Sequence, residues 1–361
     1  MPSRIAELAS QTFREAPSAA SNDARQRALK IKRSLRLGII TALPKEAAAV
    51  RAVFGGHCLE MPNHRRTHAT CYLHRFESSR SGRTLEVLIA LANSMGNNSA
   101  AVTAASILME FPNIEDLIIV GIAGAIPVPV RPNRTQHDYQ RHVRLGDIIV
   151  STDGIVQYDF VRLDRDKSEC RKQATRPSPR LTSAVQQIRV EEEAGHHEWE
   201  GFLSKSLSEN GIRRPRTDRI IDDVASGAHQ ATGGQTFLQH PRKQARRRPN
   251  APLVHYGLIG SANVLLKNSL ERDRLGAEHG VRAVEMEGSG IADAAWNLAA
   301  GYIAVRSACD YCDSRKDDVW QQYASYAAAA YTRSIVERAL NQDVLAVTPK
   351  LLAGPTTTGG T

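Results

Sequence analysis

The segment "VEMEGSGIADAAW", Val284–Trp296, places two carboxylates, Glu285 and Glu287, around Met286 where an apolar strand-like run turns into a helix-like one. Acids at such a junction have two uses. They can anchor the helix, because a helix N-terminus favours negative charge, or they can face a ligand lodged between the two elements. Another acid, Asp310, ends the apolar run "YIAVRSACD", and Glu46 follows Pro44 at the start of "KEAAAVRAVF". Cys309 and Cys312 form a C-x-x-C around Asp310. A zinc site would need two further ligands at matching spacing, and the chain has no second pair. A redox C-x-x-C usually opens a helix, whereas this one closes a strand. These thiols read as structural or incidental, and neither a metal nor an organic cofactor is implied.

Elements must hold these side chains. "LRLGIITAL" reads as a buried strand, and Pro44 suits the first turn of the helix after it. "TCYLHRF" and "TLEVLIALA" read as strands paired around the Ser-Gly turn at 81–82. "NNSAAVTAASILMEF" reads as a helix with Asn or Ser as its cap. Strands "EDLIIVGIAGAIP" and "RLGDIIVSTDGIV" follow, then strand "LVHYGLIGSA" and a helix closed by Gly280. Last come strand "VRAVEM", a helix capped by Gly301, strand "YIAVRSA" and a long final helix. This alternation predicts an α/β layered fold with a mostly parallel sheet. Ligands of such folds sit at the carboxyl ends of the strands. "VGIAGA", "LIGSAN", "VEME" and "SACD" all fall there, and the small residues Gly121, Ala123 and Gly124 allow a ligand close to the backbone.

The chain has 361 residues, a formal net charge of +9 and five cysteines. An odd cysteine count without a secretory signal points to reduced thiols and a cytoplasmic setting. No run is long and apolar enough to span a bilayer. Residues 1–33, rich in Ala, Ser and Arg, read as a flexible or helical leader, with a transit peptide as the alternative; 343–361 read as a disordered tail. Residues 34–342 form the candidate catalytic domain. Within it, about 160–250 is a basic insertion containing "RRPRTDR" and "PRKQARRRPN". No nucleic-acid motif accompanies those runs and aromatics are sparse there, so nucleic acid is not the expected partner. Solvated loop charge and a polyphosphate ligand remain as readings.

The segments "LGIITALPKE", "VGIAGAIP", "RLGDIIVS", "GLIGSANVL", "AVEMEGSGIADAA" and "AVRSACDYCDS" occur in one order. In that order they resemble the nucleoside phosphorylase superfamily, and within it the methylthioadenosine/S-adenosylhomocysteine nucleosidases. "RPRTDR" and "RRRPNAPLVHYGLIGSANVLLKN" resemble a subgroup found in fungal immune-receptor proteins and bacterial defence effectors. The resemblance implies a three-layer phosphorylase-like fold, with a central mixed, mostly parallel sheet flanked by helices and the insertion added. It also implies N-glycosidic cleavage of a purine nucleoside or an adenine nucleotide such as ATP, with phosphorolysis or a non-catalytic nucleotide-binding signalling module as the alternatives, and assembly into homo-oligomers.

The resemblance assigns roles residue by residue. Glu287 would grip the ribose hydroxyls, which a carboxylate can accept in pairs, and Met286 would pack on the sugar. Glu285 would serve either the ribose or the neighbouring strand. Asp310 would protonate the leaving purine, which requires a dry site that disfavours its anion. Glu46 would hold the attacking water. Ile119 and Ile122 stand where phosphorylases carry phosphate-binding arginine and serine, which favours water over phosphate as nucleophile. Leu265 replaces a stacking aromatic, so the base would rest near Asn263, Val264 and Leu265. Arg216 or Arg219 would meet 5′-phosphates through bidentate guanidinium contacts, with solvated or locally paired arginines as the alternative.

Overall fold

The computed structural model describes residues 33–347 apart from 62–68, 133, 164–167, 172–173, 222–236, 243, 245 and 315–316. Nearly all of the leader, all of the tail beyond residue 347, and Asp222 and Asp223 therefore lie outside the described residues. Strands β1 (Leu37–Thr41), β2 (His57–Glu60), β3 (Thr70–Glu77), β4 (Thr84–Leu91), β5 (Asp116–Ala125), β6 (Ile148–Val150) and β7 (Ile155–Gln157) come first. The insertion carries two-stranded pieces, β8 (Val161–Leu163) with β9 (Ser168–Cys170) and β10 (Ile220–Ile221) with β11 (Phe237–Leu238). Strands β12 (Val254–Tyr256), β13 (Ile259–Ser261), β14 (Ala283–Glu285) and β15 (Gly301–Asp310) complete the set. The helices are α1 (Pro44–Phe54), α2 (Asn97–Glu110), α3 (Gln136–Tyr139), α4 (Pro179–Glu193), α5 (Glu198–Glu209), α6 (Ser269–Glu278), α7 (Gly288–Asn297) and α8 (Gln321–Val347).

Eleven strands form one mixed sheet, whose spine runs β12-β6-β15-β5-β1-β4-β3-β2. Its centre, β15-β5-β1-β4, is parallel, and β2, β3 and β6 join antiparallel to their inner neighbours. The central strands are continuous apolar runs because helices cover both faces. Helices α1, α4 and α5 pack with α8 on one side, and α2 packs with α7 on the other. This is the expected three-layer α/β architecture. Among the described residues no helix is long and apolar enough to cross a membrane.

Strand β5 positions the site. Along most of its length it lies between β1 and β15, but its last residues also pair antiparallel with β14. Gly124 is the crossing point, facing Val284 of β14 and Asp310 of β15. A side chain at 124 would put its first carbon 2.0 Å from Cys312 Sγ, so only glycine lets three strand ends converge. The β15 register slips between Ala308 and Asp310. Such a bulge re-aims the side chain beside it, here Asp310.

Two local expectations are corrected. Helix α2 is capped neither by its own Asn nor by its own Ser: Gly96 occupies the cap position with φ 107°. The side chain of Asn97 instead accepts from Gly290 N (2.9 Å) and Ser261 Oγ (3.0 Å), bolting α2 to α7 and β13. Helix α7 ends before Gly301, with Ala299 taking the left-handed conformation (φ 55°), and Gly301 opens β15. Within the insertion, α4 and α5 bury Leu181, Val185 and Trp199.

Candidate active site

Glu46 sits in the first turn of α1 and is 2% exposed. Its Oε2 accepts from Ala42 N and Leu43 N, both at 2.9 Å, so it reaches back over the helix start. Its Oε1 accepts from Ile122 N at 2.8 Å, tying α1 to the end of β5. Burial raises its carboxyl above the ordinary value, while Arg306 and these three N–H groups pull it back. A carboxylate has about four acceptor directions, so capacity for a water remains.

Glu285 and Glu287 divide the two uses that the sequence allows. Glu285 accepts from Glu287 N (3.0 Å) and from Gly288 N (2.8 Å), anchoring the start of α7, and it pairs with Arg306. Glu287 accepts from Gly96 N and from Arg306 Nη2, each at 3.2 Å, and lines the cavity in front of it. Burial drives its carboxyl up to about 7, with Glu285 and Glu46 adding to the rise and Arg306 opposing it.

Arg306, in the middle of β15 and 1% exposed, is the hub that the residue-by-residue assignment left out. Gly121 makes room for it: a side chain there would begin 2.4 Å from Arg306 Nη1 and 2.2 Å from Glu46 Oε1. The signal was available in "YIAVRSA", because an arginine inside a buried apolar strand must be paired. Three buried carboxylates thus share one guanidinium.

Asp310 is 4% exposed, at the bulged end of β15. Its Oδ1 accepts from Cys312 N at 2.9 Å and its Oδ2 from Cys309 Sγ at 3.1 Å. Cys309 therefore holds the acid through its thiol and Cys312 through its backbone N–H. Cys312 itself carries φ 51°, a conformation uncommon for residues other than glycine.

A cavity of about 400 Å³ opens against Glu46, Glu285 and Glu287. Glu46, Glu285, Met286 and Glu287 line one part of it, Ile122, Ala123 and Gly124 its floor, and Val264 and Leu265 its rim. Gly121 lies behind that floor, against Glu46 and Arg306. Cys309 and Cys312 bring the wall to Asp310. Tyr158 also lines the cavity, an aromatic that the sequence reading passed over in noting the leucine at 265. Lys45 and Lys267 are the exposed cations of the lining. Lys45 hydrogen-bonds Gln321, and Asp318 lies at the same edge.

Three expected ligand residues are placed elsewhere. Asn263 Oδ1 accepts from Asn97 N at 2.9 Å, so this side chain serves the start of α2 rather than a base. Arg216 is exposed and lines neither this cavity nor a second one of about 290 Å³ on the far side of Asp310. Arg219 lines that second cavity over the Phe237 ring, in company with Asp310, Asp313 and Asp317. Three carboxylates there repel phosphate. The arginines further along are paired with acids: Arg247 with Asp147 (2.5 Å), Arg246 with Glu193 (3.2 Å), and Arg248 with Glu200.

A sequence model of the phosphorylase superfamily matches residues 36–341, and the chain belongs to that superfamily. A nucleotide-binding leucine-rich repeat (NLR)-like protein of Hyaloscypha variabilis is 29% identical over 256 residues, covering 69% of this chain and 24% of that protein. The ATP nucleosidase Cap17 of Escherichia coli is 24% identical over 304 residues, covering 83% of this chain and 50% of the relative. The chain thus spans between about a quarter and a half of the length of these curated relatives. Among solved structures, a mutant of the Helicobacter pylori nucleosidase MTAN with 5′-methylthioadenosine in its active site superposes with TM-score 0.53 at 16% identity. That match covers 84% of this chain and 98% of the other. The futalosine hydrolase of Helicobacter pylori gives TM-score 0.53 at 16% identity, covering 84% and 97%.

Proposed function

We propose, with membership of the phosphorylase superfamily as the premise, that this chain is a purine N-glycosidase that uses water and acts on adenine nucleotides. The observation that carries the reading is that Glu46 and Glu287 line one cavity, that Asp310 stands behind its Cys309–Cys312 wall, and that the buried cation beside it, Arg306, is already bound to carboxylates. A phosphate nucleophile beside Glu46 and Glu287 would meet their charge and the apolar Ile122 and Met286, with no guanidinium among the described residues of the lining and with its cations, Lys45 and Lys267, exposed to solvent, an unfavourable exchange. A neutral water meets no such penalty.

The reaction then balances as follows. Glu287 accepts the ribose hydroxyls and Met286 packs on the sugar. The bond between C1′ and the purine nitrogen breaks, and Asp310 gives its proton to the departing base. The water oxygen bonds to C1′, and its proton passes to Glu46. Acid and base each contribute about 10²–10⁴-fold in such reactions.

The nucleotide preference rests on the ATP nucleosidase relative and on the two exposed cations of the cavity lining, Lys45 and Lys267. They take the part that the sequence reading gave to Arg216 and Arg219. ATP, AMP, adenosine and methylthioadenosine should be incubated with the protein, with and without phosphate, and free base measured. Base release that requires phosphate and yields ribose 1-phosphate refutes hydrolysis. In the same panel Lys45→Ala should lower kcat/KM for ATP about tenfold, the size of one charge-assisted contact, and leave adenosine unchanged. Equal losses on both substrates remove Lys45 from phosphate recognition.

A further inference from the structure

The loop that carries Asp310 is held from outside the sheet by the insertion. Tyr311, the next residue, is 3% exposed and its hydroxyl donates to Asp218 Oδ1 at 2.5 Å. Its carbonyl accepts from the buried Arg272 of α6 at 2.7 Å. Asp218 is itself held by a directional relay. Val128 N donates to His142 Nδ1 (2.9 Å), which makes that nitrogen the acceptor and leaves the proton on Nε2. His142 Nε2 then donates to His240 Nδ1 (2.9 Å), and His240 Nε2 donates to the Asp218 carbonyl (3.0 Å). Both imidazoles are neutral in this arrangement. Burial lowers both, and the nearby Arg144 lowers each further.

More staples join the same two surfaces. Trp320 Nε1 donates to Thr217 O (2.6 Å), Gln244 Nε2 to His142 O (2.6 Å), and Arg144 Nη2 to Pro241 O (3.0 Å). Arg247 clamps Asp147, whose backbone brackets Ala308 through Ala308 N→Asp147 O (2.9 Å). The insertion thus grips β15 and the loop beyond it on both sides of Asp310.

We propose that the insertion is a positioning clamp for the general acid, with Asp218 and the Tyr311 hydroxyl as its jaws and the His142–His240 relay as its spring. The inference rests on the nucleosidase reading for its kinetic consequence, though not for its structural one. A hydrogen bond to the Tyr311 hydroxyl fixes where the chain leaves Asp310, and Cys312, at φ 51°, turns its N–H back onto Asp310 Oδ1. Without the jaw, that strained return loses the hold on the Tyr311 side chain and keeps the Arg272 contact to the Tyr311 carbonyl. Asp310 would no longer stand at the distance that proton transfer needs.

The test uses the full chain. Tyr311→Phe removes one hydroxyl and keeps the ring, and should lower kcat about ten- to hundredfold, the cost of a misplacement near 1 Å, with KM within about twofold. Asp218→Ala should match it, and Asp218→Asn, which keeps an acceptor oxygen, should recover part of the loss. In an Asp310→Asn background Tyr311→Phe should have no further effect, because both act through one group. A full kcat in Tyr311→Phe, or an equal loss in the Asp310→Asn background, overturns the clamp. Amide exchange over residues 309–313 reads the clamp without turnover: it should quicken in Asp218→Ala, and unchanged exchange refutes the proposal. A wild type that releases no base while exchange responds as expected would instead sink the nucleosidase reading alone.

Discussion

The cavity and the inner edge of the insertion are both built on buried charge, and they are balanced in opposite ways. At the insertion edge Asp147 receives Arg247, His255 Nε2 (3.0 Å), Leu253 N (2.9 Å) and Arg144 N (2.8 Å). Burial disfavours its anion, yet His255 and Arg247 hold the carboxyl well below the ordinary range. Charge there is complete without a ligand. In the cavity Glu46, Glu285 and Glu287 crowd one arginine, and Glu287 is pushed up to about 7. A site left unbalanced in this way gains when a ligand supplies the missing donors, whereas a balanced one only holds the fold. The difference separates a cavity short of donors from a framework whose charge is satisfied, within one chain, where composition alone would class both as charged.

The hardest blow to that contrast should come from Arg306→Ala. It leaves buried carboxylates without their cation, and breaking a buried pair costs about 3–5 kcal/mol. Urea denaturation at pH 8 measures it. A loss below about 1 kcal/mol, no more than an exposed pair contributes, would mean that the acids shed their charge freely and that Arg306 is no hub.

Next in size is chemistry. Asp310→Asn should cut turnover at least about a hundredfold, the low end for a lost general acid, with little change in Tm because the two side chains share a shape. Glu46→Gln should do the same while keeping ligand binding. Fully active, well-folded variants in a base-release assay would take these groups out of the reaction.

The strands, the sheet class and the order of the site segments were legible because buried strands write themselves as apolar runs and helices as periodic ones. Glu46, Glu287 and Asp310 stand out as acids beside the ends of such runs, and their expected roles came from the family resemblance. Arg306 was visible as a charge in a strand, but its partners Glu285 and Glu287 stand about twenty residues away, and nothing local names them. The insertion was harder still. Its arginines look like phosphate ligands in isolation, and only the pairing of Arg247 with Asp147, 100 positions apart, shows their employment. Tyr311 and Asp218 meet across 93 positions in the same way.

A subtler probe of the imbalance is Glu287→Gln followed against pH. The carboxyl of Glu287 titrates near 7 in the folded protein, above its ordinary 4.5. Between those values the native state keeps a proton that the unfolded chain has released, so stability contributed by this group falls as pH rises through the window. The amide of the variant does not titrate there. The Tm of the variant minus that of the wild type should therefore grow more positive from pH 5 to pH 8. A difference that stays flat would show that Glu287 ionises without cost.

The smallest effect is expected where charge is balanced and wet. Arg248 is 40% exposed and its partner Glu200 is 24% exposed, so solvent screens their pair. Exposed pairs contribute about 0–1 kcal/mol, and salt weakens them further because the Debye length is only about 8 Å at physiological ionic strength. Arg248→Ala should cost no more than that at low salt and nothing measurable at high salt, and leave turnover unchanged. The contrast with Arg306→Ala is then a contrast of environment, since both remove one guanidinium from one carboxylate partner or more. A tenfold fall in base release for Arg248→Ala, with Tm intact, would reverse the conclusion. It would show that the insertion's outer charge reaches the substrate, and that the division between an unbalanced cavity and a balanced insertion edge is drawn in the wrong place.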